Sequence, residues 1–469
     1  MEKIPVVQEP VAQDLAPPHL PPHTLPHSPT SGRDGKFHVR LTEGRFQNLR
    51  RLVSWPLLAL YFGLVWVQFD GQPWFLFSFE QHKIILFGQA LSWRDLSLLA
   101  GLLIASAALL FFLAVAWGRI WCGFACPQSI WTWLFIRIED FTEGRADKRT
   151  RQAAAPLTFH TLIRRLIKHL LWILLALATA ITFTGYFVPV REILSAAIQL
   201  ELSATVSGWI LIMAGITYLN AGLVREQICL HACPYSRFQG VMFDDHTRTV
   251  SYDARRGEPR ANRRKGSGNS GDCVDCGLCV QVCPAGIDIR DGLQAACIDC
   301  AACIDACDRV MSKLERPAGL IRFTSEAQLQ GEKTHFFRPR LAGYAAVMLV
   351  AFSAVLYGFT QTTQLLVEIR RDRGAMFRQV NAQTVCNVYQ IKVEGYSETQ
   401  RFVDVSITGE GEFSLFGQRT IDLSEENAYW LPYRVCARDL ALSKAELIFH
   451  FKGEALSASR QTTFLTRVF

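Results

Sequence analysis

The chain has 469 residues, 50% of them apolar, 11% aromatic and 19% charged, with a formal charge of +7. By length it holds two to four structural units, and its apolar residues collect into near-continuous runs of about 18 to 23 residues, long enough to cross a bilayer, which excludes a purely soluble protein. Fourteen cysteines, eight of them between Cys273 and Cys307, are too dense for disulfides in an Arg-rich segment and read as iron–sulfur ligands.

Residues 1–36 hold eight of the nineteen prolines and no hydrophobic run, so a disordered tail is predicted. His19, His23 and His27 recur there at four-residue spacing, which without a helix forms no fixed copper site. Residues 37–224 read as a four-span membrane region, with spans at about Leu52–Phe69, Ser97–Trp117, Leu166–Val188 and Ala204–Val224. A fifth span covers 341–359. The apolar patch Ile84–Phe87 is too short to cross and is expected at the membrane interface.

Charge gives orientation. The connection 118–165 carries eight Lys and Arg, whereas 189–203 carries only Arg191 and 70–96 only Lys83 and Arg94. The N-terminus, the loop 118–165 and the Arg-rich segment 225–340 are therefore expected in the cytoplasm, and five spans put the C-terminal part in the periplasm. Lys and Arg placed in this way indicate membrane lipid as a partner and not nucleic acid. Arg370, Arg371 and Arg373 run against this placement, and a sixth crossing is the alternative.

Residues 375–469 read as a small β-sandwich, from alternating runs at Val388–Val393, Phe402–Ile407, Tyr429–Val435, Leu447–Phe451 and Thr463–Phe469. Cys386 begins one such strand and Cys436 ends another. A bridge across the sandwich and two unrelated buried thiols are both open.

Cys273, Cys276, Cys279 and Cys283 have the spacing C-x2-C-x2-C-x3-C, and Cys297, Cys300, Cys303 and Cys307 repeat it. In such doubled runs the fourth cysteine ligates the other cluster. One [4Fe–4S] cluster is thus assigned to Cys273, Cys276, Cys279 and Cys307, and a second to Cys297, Cys300, Cys303 and Cys283. Four-thiolate zinc also uses C-x2-C pairs but has no use for exchanged triplets. Asp272, Asp275, Asp299, Asp305 and Asp308 crowd the runs and are read as a solvated acidic face.

Two further pairs stand at the ends of the second and fourth spans: Trp121-Cys122-Gly-Phe-Ala-Cys126-Pro127 and Cys229-Leu-His231-Ala-Cys233-Pro234. A spacing of four puts both sulfurs on one face of a turn, and the proline discourages helix at the cysteine before it. One such pair would pass for packing residues of a membrane helix. Two pairs with the same trailing proline point to a redox or copper site, since thiolate selects Cu(I), with His231 a weaker candidate ligand.

The segments Phe238-Gln-Gly-Val-Met-Phe-Asp244, Arg256-Gly-Glu-Pro-Arg260, Cys283-Pro-Ala-Gly-Ile-Asp-Ile-Arg-Asp-Gly-Leu-Gln294 and Cys303-Ile-Asp-Ala-Cys307 resemble the FixG/RdxA/CcoG family of membrane-bound cytochrome c oxidase accessory proteins. The resemblance implies a polytopic α-helical membrane protein with a two-cluster ferredoxin-like cytoplasmic insert and an immunoglobulin-like β-sandwich, in a bacterial inner membrane. It implies reduction of Cu(II) to Cu(I) for a cbb-type oxidase, and the two C-x3-C-P pairs, Cys122, Cys126, Cys229 and Cys233, are the residues expected to hold the copper. Its expected partners are oxidase assembly factors, a copper chaperone or transporter and an unidentified electron donor; a homodimer is left open. A quinol-linked carrier, like the membrane ferredoxins of nitrate or nitrous oxide respiration, and an assembly scaffold with structural clusters are the rival readings. No C-x-x-C-H and no phosphate-binding glycine loop occur, so covalent haem is not expected and the electron donor is expected to be a separate protein or molecule.

Overall fold

The computed structural model describes residues 38–69, 72–78, 83–87, 89–92, 96–156, 158–260, 271–360, 365–372, 377–381, 383–395, 402–409, 411–423, 430–438, 444–454 and 457–466. The Pro-rich tail, with His19, His23 and His27, lies outside them, as do Arg373, Tyr429 and the last three residues.

The first half is helical: α1 (Arg45–Gly63), α2 (Leu96–Trp117), α3 (Ile120–Phe124), α4 (Pro127–Thr142), α5 (Ala146–Ala154), α6 (Phe159–Thr184), α7 (Val190–Ile198), α8 (Ala204–Tyr218) and α9 (Pro234–Met242). Four helical stretches among the described residues are long and apolar enough to cross a membrane: Leu98–Trp117, Phe159–Thr184, Ala204–Val224 and Pro339–Thr360. Their outward faces leave Leu103, Ile104, Leu166, Leu174, Leu211, Ile212, Leu349 and Val350 exposed, as a lipid-facing surface requires. Helix α1 is not among the four, because its first two turns carry Arg45, Arg50 and Arg51. It gives way at Leu64–Trp66 to a 3-10 turn and then to extended chain, short of the Phe69 expected for the first span.

Small antiparallel sheets follow: β1 (Gln68–Phe69) with β2 (Gln72–Pro73), and β3 (Phe75–Ser78), β4 (Lys83–Leu86) and β5 (Gln89–Ser92) in order. The apolar patch Ile84–Phe87 is too short to cross, and it falls on β4 and the residue after it: Ile84 and Ile85 are buried strand residues, while Phe87 is exposed.

The eight-cysteine region is bracketed by β6 (Thr249–Tyr252) and β7 (Ile321–Thr324), paired antiparallel, with short helices α10 (Ala254–Gly257), α11 (Leu278–Gln281), α12 (Ala302–Lys313) and α13 (Glu326–Gln330). Helix α14 (Pro339–Thr360) then packs along α2, where Gly101 faces Val355 and Gly358 faces Leu98. Small residues let such helices approach closely.

Beyond it lie β8 (Leu365–Arg371), β9 (Arg378–Asn381), β10 (Thr384–Gly395), β11 (Phe402–Gly409), β12 (Phe413–Phe416), β13 (Thr420–Asp422), β14 (Leu431–Arg438), β15 (Lys444–Lys452) and β16 (Ser457–Leu465). One sheet runs β12-β14-β10-β8 with β9 on β10, the other β13-β11-β15-β16. Tyr389, Ile391, Tyr433 and Val435 of the first sheet pack on Val403, Leu447, Phe449, Phe451 and Phe464 of the second. Strand β8 begins the sandwich before residue 375. It also carries two of the arginines that run against the expected orientation: Arg370 lies 4.4 Å over the Trp430 ring, and Arg371 donates to the Thr463 carbonyl at 2.6 Å. Cys386 and Cys436 are bridged. They are directly opposed neighbours in β10 and β14 of one sheet, so the bond does not cross the sandwich.

Candidate functional site

The two cysteine runs fold alike. In each, the residues flanking the middle cysteine take positive φ: Asp275 (49°) and Gly277 (66°) around Cys276, Asp299 (51°) and Ala301 (58°) around Cys300. Such alternation of hand turns successive N–H groups to one side, forming the concavities that surround iron–sulfur groups. Each fourth cysteine crosses over. Cys307, in α12, has Cys279, Cys273 and Cys276 as electrostatic neighbours. Cys303 borders Cys300, Cys297 and Cys283, and also Cys279. Cys279, Cys283, Cys297, Cys300 and Cys303 line one small cavity walled by Ile287, Ile289 and Ile298. Burial pushes the thiols of Cys279, Cys283 and Cys307 up to about 12, so ligation there must displace protons. Eight thiols in two crossed sets, among apolar walls and inward-turned amides, fit two iron–sulfur clusters.

The acidic face is only half as expected. Asp275 and Asp272 pair with Arg290 and Arg256 at 2.5 Å each, both partly in solvent. Asp299 and Asp305 are buried instead, 1% and 7% exposed. Asp299 accepts the N–H groups of Arg119 at 2.8 Å and Val250 at 3.0 Å, while Asp305 accepts those of Phe46 at 3.1 Å and Gln47 at 2.8 Å. Three of these four N–H groups belong to the starts of helices α1 and α3 and the fourth to strand β6, and holding them takes both carboxylates out of solvent.

The membrane pairs meet the same junction. Cys122 lies in α3, and Cys126 caps α4 with Pro127 at its first position. Cys229 lies in a π-type turn, Ile228–Ala232, and Cys233 caps α9 ahead of Pro234. Both pre-proline cysteines are extended, with φ −64° and ψ 127° at Cys126 and φ −76° and ψ 112° at Cys233, as a following proline demands. The turns converge. Cys122 has Cys126 and Cys229 among its electrostatic neighbours, Cys126 has Cys233, and Cys229 has both Cys126 and Cys233. Burial, then Cys126, raises the Cys122 thiol to about 12, and burial, again with Cys126, raises Cys229 to about 11. His231 is exposed, and its carbonyl accepts from Arg237 at 3.1 Å. Among the described residues no three of His, Cys, Asp and Glu are gathered tightly enough to hold a single ion.

Residues that spacing did not reveal complete the site. The Arg119 guanidinium donates to the carbonyl oxygens of Ala295 and of Cys297 (3.2 Å) and to that of Ser236 in α9 (3.1 Å), tying a cluster loop to both cysteine turns. Gln239, fully buried, accepts from the Cys122 thiol at 3.5 Å. Gln239 lies in one of the quoted family segments, but nothing in its spacing marks it as a partner of Cys122.

Residues 224–326 match the family described as a 4Fe-4S dicluster domain, and residues 355–467 that of the IG-like fold at the C-terminus of FixG. Over 415 residues the chain is 32% identical to the nitrogen fixation protein FixG of Rhizobium meliloti, covering 80% of this chain and 79% of that one. It is likewise 32% identical to protein RdxB of Cereibacter sphaeroides over 400 residues (82% and 84%) and to protein RdxA of the same organism over 377 residues (76% and 80%). Membrane-length helices, a dicluster segment and an immunoglobulin-like sandwich thus occur together in a chain that belongs to the FixG/RdxA/RdxB family of membrane iron–sulfur electron-transfer proteins.

Proposed function

We propose that this protein reduces Cu(II) to Cu(I) for assembly of a cbb-type cytochrome c oxidase. The observation that carries the reading is the convergence of Cys122, Cys126, Cys229 and Cys233 beside the dicluster segment. When bound, two [4Fe–4S] groups on the crossed thiol sets supply one-electron storage. The membrane thiols do the rest. Burial keeps Cys122, Cys126 and Cys229 protonated while empty; taking copper displaces those protons, and the resulting thiolates stabilise Cu(I) over Cu(II), which favours uptake of one electron per ion. Arg119 and Gln239 hold the Cys122 turn in place.

In this reading the dicluster segment and the loop 118–165 face the cytoplasm, supported by their Lys and Arg. The sandwich faces the periplasm, supported by its disulfide, a bond that oxidising compartments favour. Helix α1 with its 3-10 extension serves as a short fifth crossing. The reductant is a separate donor, and the Cu(I) passes to a copper chaperone or assembly factor.

The test is anaerobic reduction of the purified protein followed by Cu(II), reading cluster reoxidation against Cu(I) captured by a chromogenic chelator. A Cys229→Ser/Cys233→Ser variant is expected to keep its iron and lose most Cu(I) formation, because serine offers a hard, protonated oxygen. Unchanged copper turnover in that variant would remove the pair from the mechanism.

A further inference from the structure

The turn that carries Cys122 is seated directly on the backbone of a cluster-ligand loop. A Cβ built on Gly123 would stand 2.7 Å from the Ile298 carbonyl oxygen, 2.8 Å from Cys300 Cα and 2.9 Å from the Asp299 carbonyl oxygen. All three are main-chain atoms, so no rotamer change makes room. Gly123 is buried, and the requirement here is closeness of approach and not an unusual φ. Two further contacts hold the same junction. The Arg119 N–H and guanidinium grip Asp299 and the carbonyls of Ala295 and Cys297. Gly118, at φ 57°, lets the chain turn where a Cβ would meet Thr249 at 2.7 Å and Asp299 at 2.8 Å. The contacted stretch, 298–300, directly follows the ligand Cys297 and ends on the ligand Cys300.

We propose that Gly123 is a positioning residue. Its missing side chain sets the closest approach of the Cys122 turn to the Cys297–Cys300 loop. The set Cys283, Cys297, Cys300 and Cys303 thereby becomes the immediate redox partner of the membrane thiols, and the set Cys273, Cys276, Cys279 and Cys307 lies one transfer further out. The proposal rests on the copper-reducing reading and deepens it by ordering the route. The step is one-electron: Cu(II) held at Cys122 becomes Cu(I), the group on the near set is left one electron poorer, and no bond in the protein is made or broken.

The experiment uses the full chain in detergent, reduced anaerobically. The electron paramagnetic resonance signals of the two clusters are first assigned with Cys276→Ser and Cys297→Ser variants. Wild-type protein is then mixed with substoichiometric Cu(II) and frozen at intervals. The near-set signal is expected to disappear first, and Gly123→Ala to slow that loss several-fold, because electron transfer falls off steeply with the separation of donor and acceptor. In copper-free Gly123→Ala protein the near-set signal should shift while the far-set signal keeps its wild-type form. Loss of the far-set signal first overturns the proposal, as does a wild-type rate in Gly123→Ala with both clusters intact. If Gly123→Ala fails to assemble its clusters, the order of loss in wild-type protein still decides. If Cu(II) oxidises neither cluster, the copper reading falls. The copper-free spectrum then decides the contact by itself, and two unshifted signals overturn it.

Discussion

Asp305 Oδ2 accepts the backbone N–H of Gln47 at 2.8 Å, so a carboxylate between two cluster cysteines caps the first turn of helix α1. The cap residue of α1 itself, Gly44, has no side chain to offer. A Cβ there would collide with Asp305 at 2.3 Å. Asp305→Ala leaves two helix-terminal N–H groups without an acceptor and should cost about 1–3 kcal/mol. Asp305→Asn should recover part of it, because the amide oxygen still accepts. Thermal unfolding of both variants, with iron content as control, checks this; equal melting of Asp305→Ala and wild type would refute the capping role.

The crossed thiol sets make a selective prediction. Cys307→Ala should damage the cluster on Cys273, Cys276 and Cys279 and spare the one on the nearer Cys297, since Cys307 borders the former three. Iron analysis with paramagnetic resonance of the reduced variant distinguishes them. Selective loss of the Cys297-based signal would sink the assignment.

Glu139 bridges Arg149 at 2.5 Å and Arg225 at 2.6 Å within a mostly buried triad. Burial alone would push its carboxyl up, but Arg225 and Arg149 more than offset this and hold it below the usual carboxylate range. A carboxyl depressed on folding adds stability that is complete above its unfolded value, about 4.3, and is lost as pH falls through the folded one. Glu139→Gln should therefore cost about 3 kcal/mol at neutral pH by stranding two buried arginines. Its melting temperature should fall less than that of wild type on acidification. Parallel curves would contradict the pairing.

The Cys386–Cys436 bond closes a separation of 50 residues between paired strands. Its removal in Cys386→Ala/Cys436→Ala should destabilise the sandwich by about 4 kcal/mol in the chain-entropy account. In wild-type protein unfolded without reductant, neither thiol should take up alkylating label. Labelling of both by mass spectrometry would show that the bond is absent.

Much of this architecture is legible because its signals are local. The doubled cysteine spacing, the two C-x3-C-P turns and the alternation at Leu447, Phe449 and Phe451 each sit within one short stretch. Asp299 and Asp305 are not legible, for the opposite reason. Nothing near Asp305 in sequence distinguishes a solvated carboxylate from a cap whose partner stands 258 positions away. Arg119 is in sequence only one of the eight Lys and Arg of 118–165, whereas the fold buries it against carbonyls 117 to 178 positions downstream. Cys386 and Cys436 marked strand ends, but only the register of β10 on β14 makes them opposed neighbours.

The burial of Asp299 and Asp305 bears on how far the dicluster segment is a portable cassette. Sequence similarity delimits it at 224–326, but two of its carboxylates find their donors at Phe46, Gln47 and Arg119, outside that span. Excised, or grafted onto a foreign anchor, the segment would keep every ligand and yet expose or strand two anionic groups on its docking face. A workable chimera therefore has to carry the start of α1 and the Gly118–Gly123 turn along with the eight cysteines.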